Sequence, residues 1–119
     1  NGISLDLVPG DLLVIIGPVG CGKSSFLQAL IGELPLDSGA IEVSGALSYA
    51  PQDAWIFPGS IRENILFGLA WDEVRYRRVI RVCALERDLN LLPEGEWTHV
   101  GERGVTLSGG QKARVNLAR

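Results

Sequence analysis

The sequence predicts a mixed α/β fold, in which a β–loop–α core is followed by a mainly helical segment. Three observations lead to this prediction. An uncharged run rich in β-branched residues, Leu12–Ile16, stands directly before a glycine-rich loop and an amphipathic stretch. Apolar residues recur with helical spacing after Asp72. Glycine supplies 15 of 119 residues, against an average of about 7%, so the backbone must turn, or approach another group closely, at many points.

Composition and charge narrow the function classes. The chain is 46% hydrophobic and 21% charged, which is typical of a globular domain. Its net charge of −3 argues against a general nucleic-acid binder. Cys21 and Cys83 belong to different predicted elements and lack metal-ligand spacing, so a reduced, cytosolic setting is expected. The longest uncharged apolar stretch, 12–22, is far shorter than the roughly 18 residues that a membrane-spanning helix needs.

The first part of the chain is predicted to hold short strands around one helix. Alternating apolar and polar residues predict a half-buried strand over 3–7, and the run 12–16 predicts a strand buried on both faces. A turn separates them at 9–11. Residues 23–31 carry apolar residues on one helical face, and the following Gly32 favours a helix end. Two further short strands are predicted at 40–43 and 46–49.

Helices dominate the rest of the predicted structure. Ser60 and Glu63 have the spacing of a capping box, which predicts a short helix over 61–67 after a loop over 51–60. Asp72 is the predicted N-cap of a helix whose apolar face carries Tyr76, Val79, Ile80 and Cys83. A loop over 93–104 and a last helix over 111–119 complete the prediction.

Residues 17–24 fit the pattern G-x-x-x-x-G-K-[ST], which predicts a phosphate-binding loop. The backbone N–H groups of such a loop can surround the charges of a triphosphate, and the N-terminus of the following helix adds positive potential. Lys23 is expected to reach the β- and γ-phosphates, and the Ser24 hydroxyl to coordinate Mg²⁺. The candidate nucleotide-binding residues here are Gly17, Pro18, Val19, Gly20, Cys21, Gly22, Lys23, Ser24 and Ser25.

A plain glycine-rich turn between a strand and a helix is the alternative interpretation of this loop. Four fixed positions match by chance at on the order of 10⁻⁴ to 10⁻⁵ per starting residue. A strand-like run before the loop and an amphipathic stretch after it also supply the context that a phosphate site requires. Cys21 stands at a variable position and is interpreted as a small residue that fits there, rather than as a reactive thiol.

Leu107–Gln111 predicts a second anion-binding helix end. Ser108 can cap the helix, while two glycines leave backbone N–H groups uncovered. Since one phosphate site needs only one such cradle, two on one chain suggest a nucleotide shared between two copies, each supplying a different end. The candidate residues are Ser108, Gly109, Gly110 and Gln111.

In order and spacing, these motifs resemble the nucleotide-binding domain of ATP-binding cassette (ABC) proteins over nearly the whole chain. Residues 17–24 correspond to the Walker A loop, Gln52 to the Q-loop glutamine and 107–111 to the signature. The segments 53–68 and 101–106 resemble, more narrowly, the first nucleotide-binding domain of the C subfamily, the multidrug-resistance-associated exporters.

This resemblance implies an α/β P-loop NTPase (ABC ATPase) core with a helical subdomain, expected to be incomplete at its C-terminal end, before the Walker B strand. It divides the chain into an ATP-binding core with the Q-loop (1–68), a helical subdomain leading to the signature (69–108) and the start of the helix returning to the core (109–119). It implies ATP and Mg²⁺ as cofactors, Lys23 and Gln52 as catalytic residues, and Ser24 and Gln52 as Mg²⁺ ligands.

The resemblance also implies partners and a location. These are a second nucleotide-binding domain in a head-to-tail ATP sandwich and the transmembrane domains of the same parent protein, with no nucleic acid, at the cytoplasmic face of a membrane. Phe67 is expected near the transmembrane partner, although a core position for it is an equal alternative. The parent is expected to couple ATP hydrolysis to export, while this piece alone is expected to be inactive without Walker B, the D-loop and the switch histidine.

Two other functions stay open at this point. One is a nucleotide-gated regulatory domain of a C-subfamily channel or receptor with little turnover, which these motifs do not separate from an exporter. The other is a soluble ABC ATPase acting on DNA or ribosomes. The negative net charge and the resemblance of the segment 53–68 to the C subfamily argue against this last function.

Overall fold

A computed structural model describes residues 2–101 and 104–119. The chain forms two compact units, Asn1–Tyr49 (unit 1) and Ala50–Arg119 (unit 2). The functional division expected at residues 68 and 108 stays a prediction. Glu102 and Arg103, which belong to the segment that resembles the C subfamily, lie outside the described residues.

Unit 1 contains the helix α1 (Lys23–Leu30). It begins after Gly22 and ends at Ile31, which Gly32 follows with a φ of 81°. The predicted helix and its glycine stop are therefore confirmed. The predicted turn at 9–11 is also confirmed, because the Asp11 amide donates to the carbonyl oxygen of Val8 at 3.0 Å.

The four strands predicted in unit 1 are not formed within residues 2–49. The run 12–16, predicted to be buried on both faces, is instead exposed, with Leu12 at 88% and Ile16 at 87% of full exposure. A strand needs a neighbour to pair its N–H and C=O groups, and burial on both faces needs a covering layer on each side. The described part of unit 1 provides one eight-residue helix and no paired strand, so the apolar pattern alone does not bury this run.

Unit 2 combines helices with one short antiparallel ladder. In chain order it contains β1 (Gly59–Ser60), α2 (Ile61–Leu66), α3 (Glu73–Val82), α4 (Glu86–Leu91), a 3₁₀ turn (Gly95–Trp97), β2 (His99–Val100) and α5 (Gly109–Ala118). The strands pair Gly59 with Val100 and Ser60 with His99, inside two segments predicted to be loops. Within the described ranges, no helix is both long and apolar enough to cross a membrane.

Side-chain caps fix where the helices of unit 2 begin. Ser60 Oγ accepts from the Glu63 amide at 3.1 Å, and the Glu63 carboxylate accepts from the Ser60 amide at 2.7 Å. The predicted capping box is therefore confirmed, and its hydrogen bonds lower the pKa of Glu63. The predicted N-cap of α3 is confirmed as well, since Asp72 accepts from the Arg75 amide at 3.0 Å.

The core of unit 2 joins α2, α3 and α5. Asn64 is fully buried and donates to the carbonyl oxygens of Phe57 and Ser60, both at 3.0 Å. Arg119 donates to the carbonyl oxygen of Asn64 at 2.9 Å and so ties the end of α5 to α2. The buried apolar residues are Ile61, Ile65, Tyr76, Ile80, Cys83, Leu85, Val100, Leu107, Val115 and Ala118, which include three of the four residues predicted on the apolar face of α3.

Candidate functional site

The loop 17–22 folds around the ammonium group of Lys23. The Lys23 Nζ donates to the carbonyl oxygens of Gly17 and Pro18, both at 2.9 Å, and lies 3.7 Å from the Cys21 Sγ. The Cys21 amide donates to the Pro18 carbonyl at 3.3 Å and closes the turn. All of the loop is exposed, and Val19 fully so. The loop therefore holds a positive charge at an open surface, where α1 begins.

The backbone at the start of α1 keeps a run of N–H groups free for an external acceptor. Gly22 is the N-cap of α1 and provides no side-chain cap, and the first intrahelical bond runs from the Phe26 amide to the Gly22 carbonyl at 2.9 Å. An exposed, uncapped helix start offers donors to an anion, and the helix dipole adds positive potential. The amides without an acceptor among the described residues are those of Val19, Gly20, Gly22, Lys23, Ser24 and Ser25.

The conformation of this loop itself requires glycine. Gly20 and Gly22 have φ values of 83° and 94°, in the left-handed region that costs other residues about 1–2 kcal/mol each. At Gly17, a Cβ atom would lie 2.6 Å from the Cys21 Sγ. Gly20 and Gly22 are therefore needed to form the cradle, whether or not a ligand is bound, whereas the contact at Gly17 is with the end of an exposed side chain that can rotate away.

The signature segment forms a second helix start, which is capped. Ser108 Oγ accepts from the Gln111 amide at 3.3 Å, while Gln111 Oε1 accepts from the Ser108 amide at 2.9 Å. This capping box confirms that Ser108 caps α5. The amides of Gly109 and Gly110 have no acceptor among the described residues, and both glycines are exposed. Two donors thus point away from the helix, next to a hydroxyl that can still donate its own hydrogen.

The conformation of α5 does not explain the two signature glycines. Neither has a positive φ. A Cβ atom at Gly109 would meet nothing within 4 Å, and one at Gly110 would make ordinary contact with the Arg114 guanidinium at 3.4 Å. Because alanine is the better helix former, these glycines have no internal reason to be glycine. The described residues therefore leave the choice of glycine at these two positions unexplained.

Asp88, in the first turn of α4, holds the signature helix. Its carboxylate accepts from Arg114 Nε at 2.7 Å, from an Arg114 terminal nitrogen at 2.9 Å and from Gln111 Nε2 at 3.4 Å. The hydrogen bonds from Arg114 contribute most to a lowered pKa of Asp88, and the bond from Gln111 adds to the effect. The same contact with Asp88 raises the pKa of Arg114. The sequence predicts that Gln111 binds nucleotide. In the structure, its Oε1 accepts from the Ser108 amide and its Nε2 donates to Asp88, so both polar atoms of the side chain already form hydrogen bonds within the protein.

Gln52 lies near the start of unit 2, outside any helix or strand. Its side chain is exposed and makes no hydrogen bond to a described residue. It is therefore accessible, and no hydrogen bond to a described residue of unit 2 holds it in a fixed orientation.

Phe67 is at the surface rather than in the core, since it is 55% exposed. It forms an aromatic cluster with Trp55 and Phe57, with ring centroids 5.7 to 6.4 Å apart. The Arg119 guanidinium lies 4.7 Å from the Phe67 ring centroid. Of the two interpretations of Phe67, the geometry favours the surface contact.

A comparison with known protein families agrees with the family that these motifs predict. Residues 1–119 match the family model described as "ABC transporter". The chain belongs to the ABC transporter family. Membership of this family implies a P-loop NTPase fold, of which the structure forms the Walker A loop and its helix.

Individual ABC proteins similar to this chain belong to the C subfamily, as the resemblance predicted. The chain is 55% identical over 119 residues to ATP-binding cassette sub-family C member 4 of Mus musculus, covering 100% of this chain and 9% of that protein. It is 50% identical over 117 residues to sub-family C member 2 of Mus musculus, covering 98% of this chain and 8% of that protein. The chain thus spans less than a tenth of the length of these relatives.

A third similar protein is named for conductance and not for its sub-family. The chain is 56% identical over 117 residues to the cystic fibrosis transmembrane conductance regulator of Danio rerio, covering 98% of this chain and 8% of that protein. The similarity of this chain thus extends about equally to proteins named as members of sub-family C and to one named for conductance.

Asp88 and Arg114, which hold the start of the signature helix, are residues that the sequence does not single out. They stand 26 positions apart, on different helices, and neither belongs to a local motif. The available signal was weak: an acidic residue within the predicted helical region, and a basic residue one helical turn after the signature.

Proposed function

We propose that this chain binds Mg·ATP through residues 17–25, as part of a transporter that couples ATP binding and hydrolysis to export across a membrane. The observation that carries the proposal is the run of free amides at the start of α1 beside the Lys23 ammonium. Charge-assisted hydrogen bonds contribute about 1.5–3 kcal/mol each, so several of them hold a triphosphate firmly. Binding exchanges part of the contact of Lys23 with the Gly17 and Pro18 carbonyls for contact with phosphate.

The proposed metal ligands come from side chains at the two predicted positions. The Ser24 hydroxyl makes no hydrogen bond to a described residue, and it follows Lys23 in the first turn of α1. Among residues 2–101 and 104–119, no cluster of three or more His, Cys, Asp or Glu residues is placed to hold a metal. Mg²⁺ commonly takes few protein ligands and completes its shell with phosphate and water, which suits one hydroxyl and, in this proposal, the Gln52 amide. The ion would neutralise phosphate charge.

The proposed partner at the signature is a nucleotide held by a second nucleotide-binding domain. Ser108, Gly109 and Gly110 present a hydroxyl and two amides to an outside acceptor, and the exposed glycines let a phosphate approach closely. The head-to-tail arrangement, in which Walker A of one domain faces the signature of the other, is part of the proposal. Its further partners are transmembrane domains of the parent protein at the cytoplasmic face of a membrane, with the cluster of Trp55, Phe57 and Phe67 as the surface of contact.

A second candidate function is nucleotide gating with little turnover. The similarity to a protein named as a conductance regulator favours it. ATP hydrolysis and nucleotide-dependent conductance, measured on the same purified parent protein, separate the two. Sustained hydrolysis linked to substrate movement supports the exporter, and conductance with negligible hydrolysis supports the gated channel.

Replacement of Lys23 tests the binding proposal. In the full-length parent protein, Lys23→Ala is expected to abolish photolabelling of this domain by an azido-ATP analogue, because it removes the ammonium from the cradle. Arg77→Ala is the matched control, since it also removes one positive charge, on α3, from a side chain that is 75% exposed. Undiminished labelling of Lys23→Ala, or equal loss in Arg77→Ala, would contradict the proposal.

A further inference from the structure

Asp88 lies where it can set the orientation of the signature helix. It belongs to α4, which Leu85 anchors next to the helix start with 1% exposure. Its own side chain is 13% exposed, against 38% for Arg114. A carboxylate in the first turn of a helix is also favoured by the helix dipole. Asp88 is therefore a fixed point to which α5 can be attached.

The two halves of α5 are held by different forces. Its buried residues, Val115 and Ala118, both lie in the second half. In the first half, Gly109 and Gly110 are exposed, and Gln111 is only half-buried. The buried Leu107 fixes where the chain enters the helix, but the first turn of α5 has no buried side chain of its own.

Polar links to Asp88 constrain this first turn. Arg114 binds the carboxylate through two nitrogens, and such a paired contact fixes orientation as well as distance. Gln111 donates to the same carboxylate with its Nε2 while its Oε1 accepts from the Ser108 amide. An unbroken chain of hydrogen bonds thus runs from α4 through Gln111 to Ser108, next to the free amides of Gly109 and Gly110.

We infer that Asp88 is a positioning residue for the signature motif. Through Gln111 and Arg114 it holds the amides of Gly109 and Gly110 and the hydroxyl of Ser108 in the direction from which they meet phosphate. It does not touch nucleotide. This inference rests on the proposed function of the signature, and it deepens that function by naming the residue on which the signature's geometry depends.

The functional test compares Asp88→Asn with Glu96→Gln in the full-length parent protein. Both changes replace a carboxylate by the amide of the same shape, and both break an ion pair with an arginine. Glu96 pairs with Arg62 at 3.1 Å, and neither residue belongs to α4 or α5. Asp88→Asn is expected to lower kcat for ATP hydrolysis about tenfold while photolabelling of this domain is unchanged, because its own Walker A is intact. Glu96→Gln is expected to keep both within twofold.

Two further measurements separate positioning from general folding. Asp88→Ala and Arg114→Ala are each expected to lower kcat about tenfold, and the double variant by no more than either alone, because both break one link. Hydrogen exchange of a peptide covering 107–112 is expected to be faster in Asp88→Asn than in Glu96→Gln. Additive kcat losses, unchanged exchange in Asp88→Asn, or equal kcat losses in Asp88→Asn and Glu96→Gln would each overturn the inference.

Failure of the proposed function gives a different pattern. If the domain does not bind ATP through residues 17–25, Lys23→Ala leaves photolabelling the same as in the wild type. That result does not depend on the rate of hydrogen exchange at 107–112. If Asp88 does not position the signature, Lys23→Ala still abolishes photolabelling. Asp88→Asn then has the same hydrogen exchange at 107–112 and the same rate of ATP hydrolysis as the wild type.

Discussion

The two helix starts proposed to bind phosphate, at α1 and at α5, are built in opposite ways. At α1 the N-cap is glycine, no side chain caps the helix, and a lysine of the helix folds back into its own loop. At α5, a serine and a glutamine close a capping box, and the amides of Gly109 and Gly110 have no acceptor among the described residues. The first is an open cradle with its own positive charge, and the second is a closed helix end with a small exposed face.

The structural need for glycine also differs between the two helix starts. In the Walker A loop, the positive φ values of Gly20 and Gly22 demand glycine for folding. In the signature, the helical φ values and the surroundings of the two Cβ positions do not, and the proposed approach of phosphate would account for these glycines. In the proposed function, the first helix start forms its own phosphate site and the second completes a site on another domain. Substitution of glycines is the sharpest way to test it.

The largest effect is expected from Gly22→Val. A β-branched residue in the left-handed region costs at least about 1–2 kcal/mol of stability, and the misplaced loop should weaken ATP binding more than a hundredfold. Gly39→Val is the control, because Gly39 also lies in unit 1, with a φ of 89° and open space around its Cβ position. It should lose similar stability and keep ATP affinity, measured by titration with a fluorescent nucleotide. Equal loss of affinity in both variants would remove the special role of the loop.

A smaller and opposite pattern is expected from Gly109→Ala. Alanine is up to about 1 kcal/mol better than glycine within a helix, so thermal unfolding should occur at the same temperature or above. The added methyl group covers the amides, so ATP turnover of the parent protein should fall about tenfold. A lower unfolding temperature would show that the glycine is structural after all.

Loss of the α5 cap should cost about 1 kcal/mol of stability. Ser108→Ala removes the acceptor for the Gln111 amide, and Ser60→Ala does the same for Glu63 in α2. Both should lower the unfolding temperature by similar amounts, whereas only Ser108→Ala should lower turnover. If Ser60→Ala lowers turnover equally, the functional difference between the two caps disappears.

The smallest effect concerns pH. Arg114 lowers the pKa of Asp88 in the folded state below its usual value of about 3.9. Its carboxylate therefore stabilises the fold above that value, and this stability is lost as the pH falls through the lower, folded pKa. Asp88→Asn should be less stable than the wild type near pH 7, by about 1 kcal/mol or less because the pair is partly exposed. Denaturant titrations should show the gap closing under strongly acidic conditions, and a gap independent of pH would contradict this.

Local signals were sufficient to predict much of this molecule, and non-local pairing was not. The caps at Ser60, Asp72 and Ser108 and the Gly32 stop each depend on a few neighbouring residues, and all were found. The Gly59–Val100 pairing and the Asp88–Arg114 contact join positions far apart, so no local pattern predicts them. The run 12–16 shows the converse, because a strand pattern specifies pairing only when partner strands and covering layers are present.

The most direct test compares two variants of the full-length parent protein, Lys23→Ala and Gly109→Ala, by azido-ATP photolabelling and ATP turnover. If the two helix starts act on different nucleotides, Lys23→Ala loses labelling of this domain, while Gly109→Ala keeps it and both variants lose turnover. If Gly109→Ala loses labelling of this domain as completely as Lys23→Ala, both helix starts serve one nucleotide in one domain, and the account is contradicted.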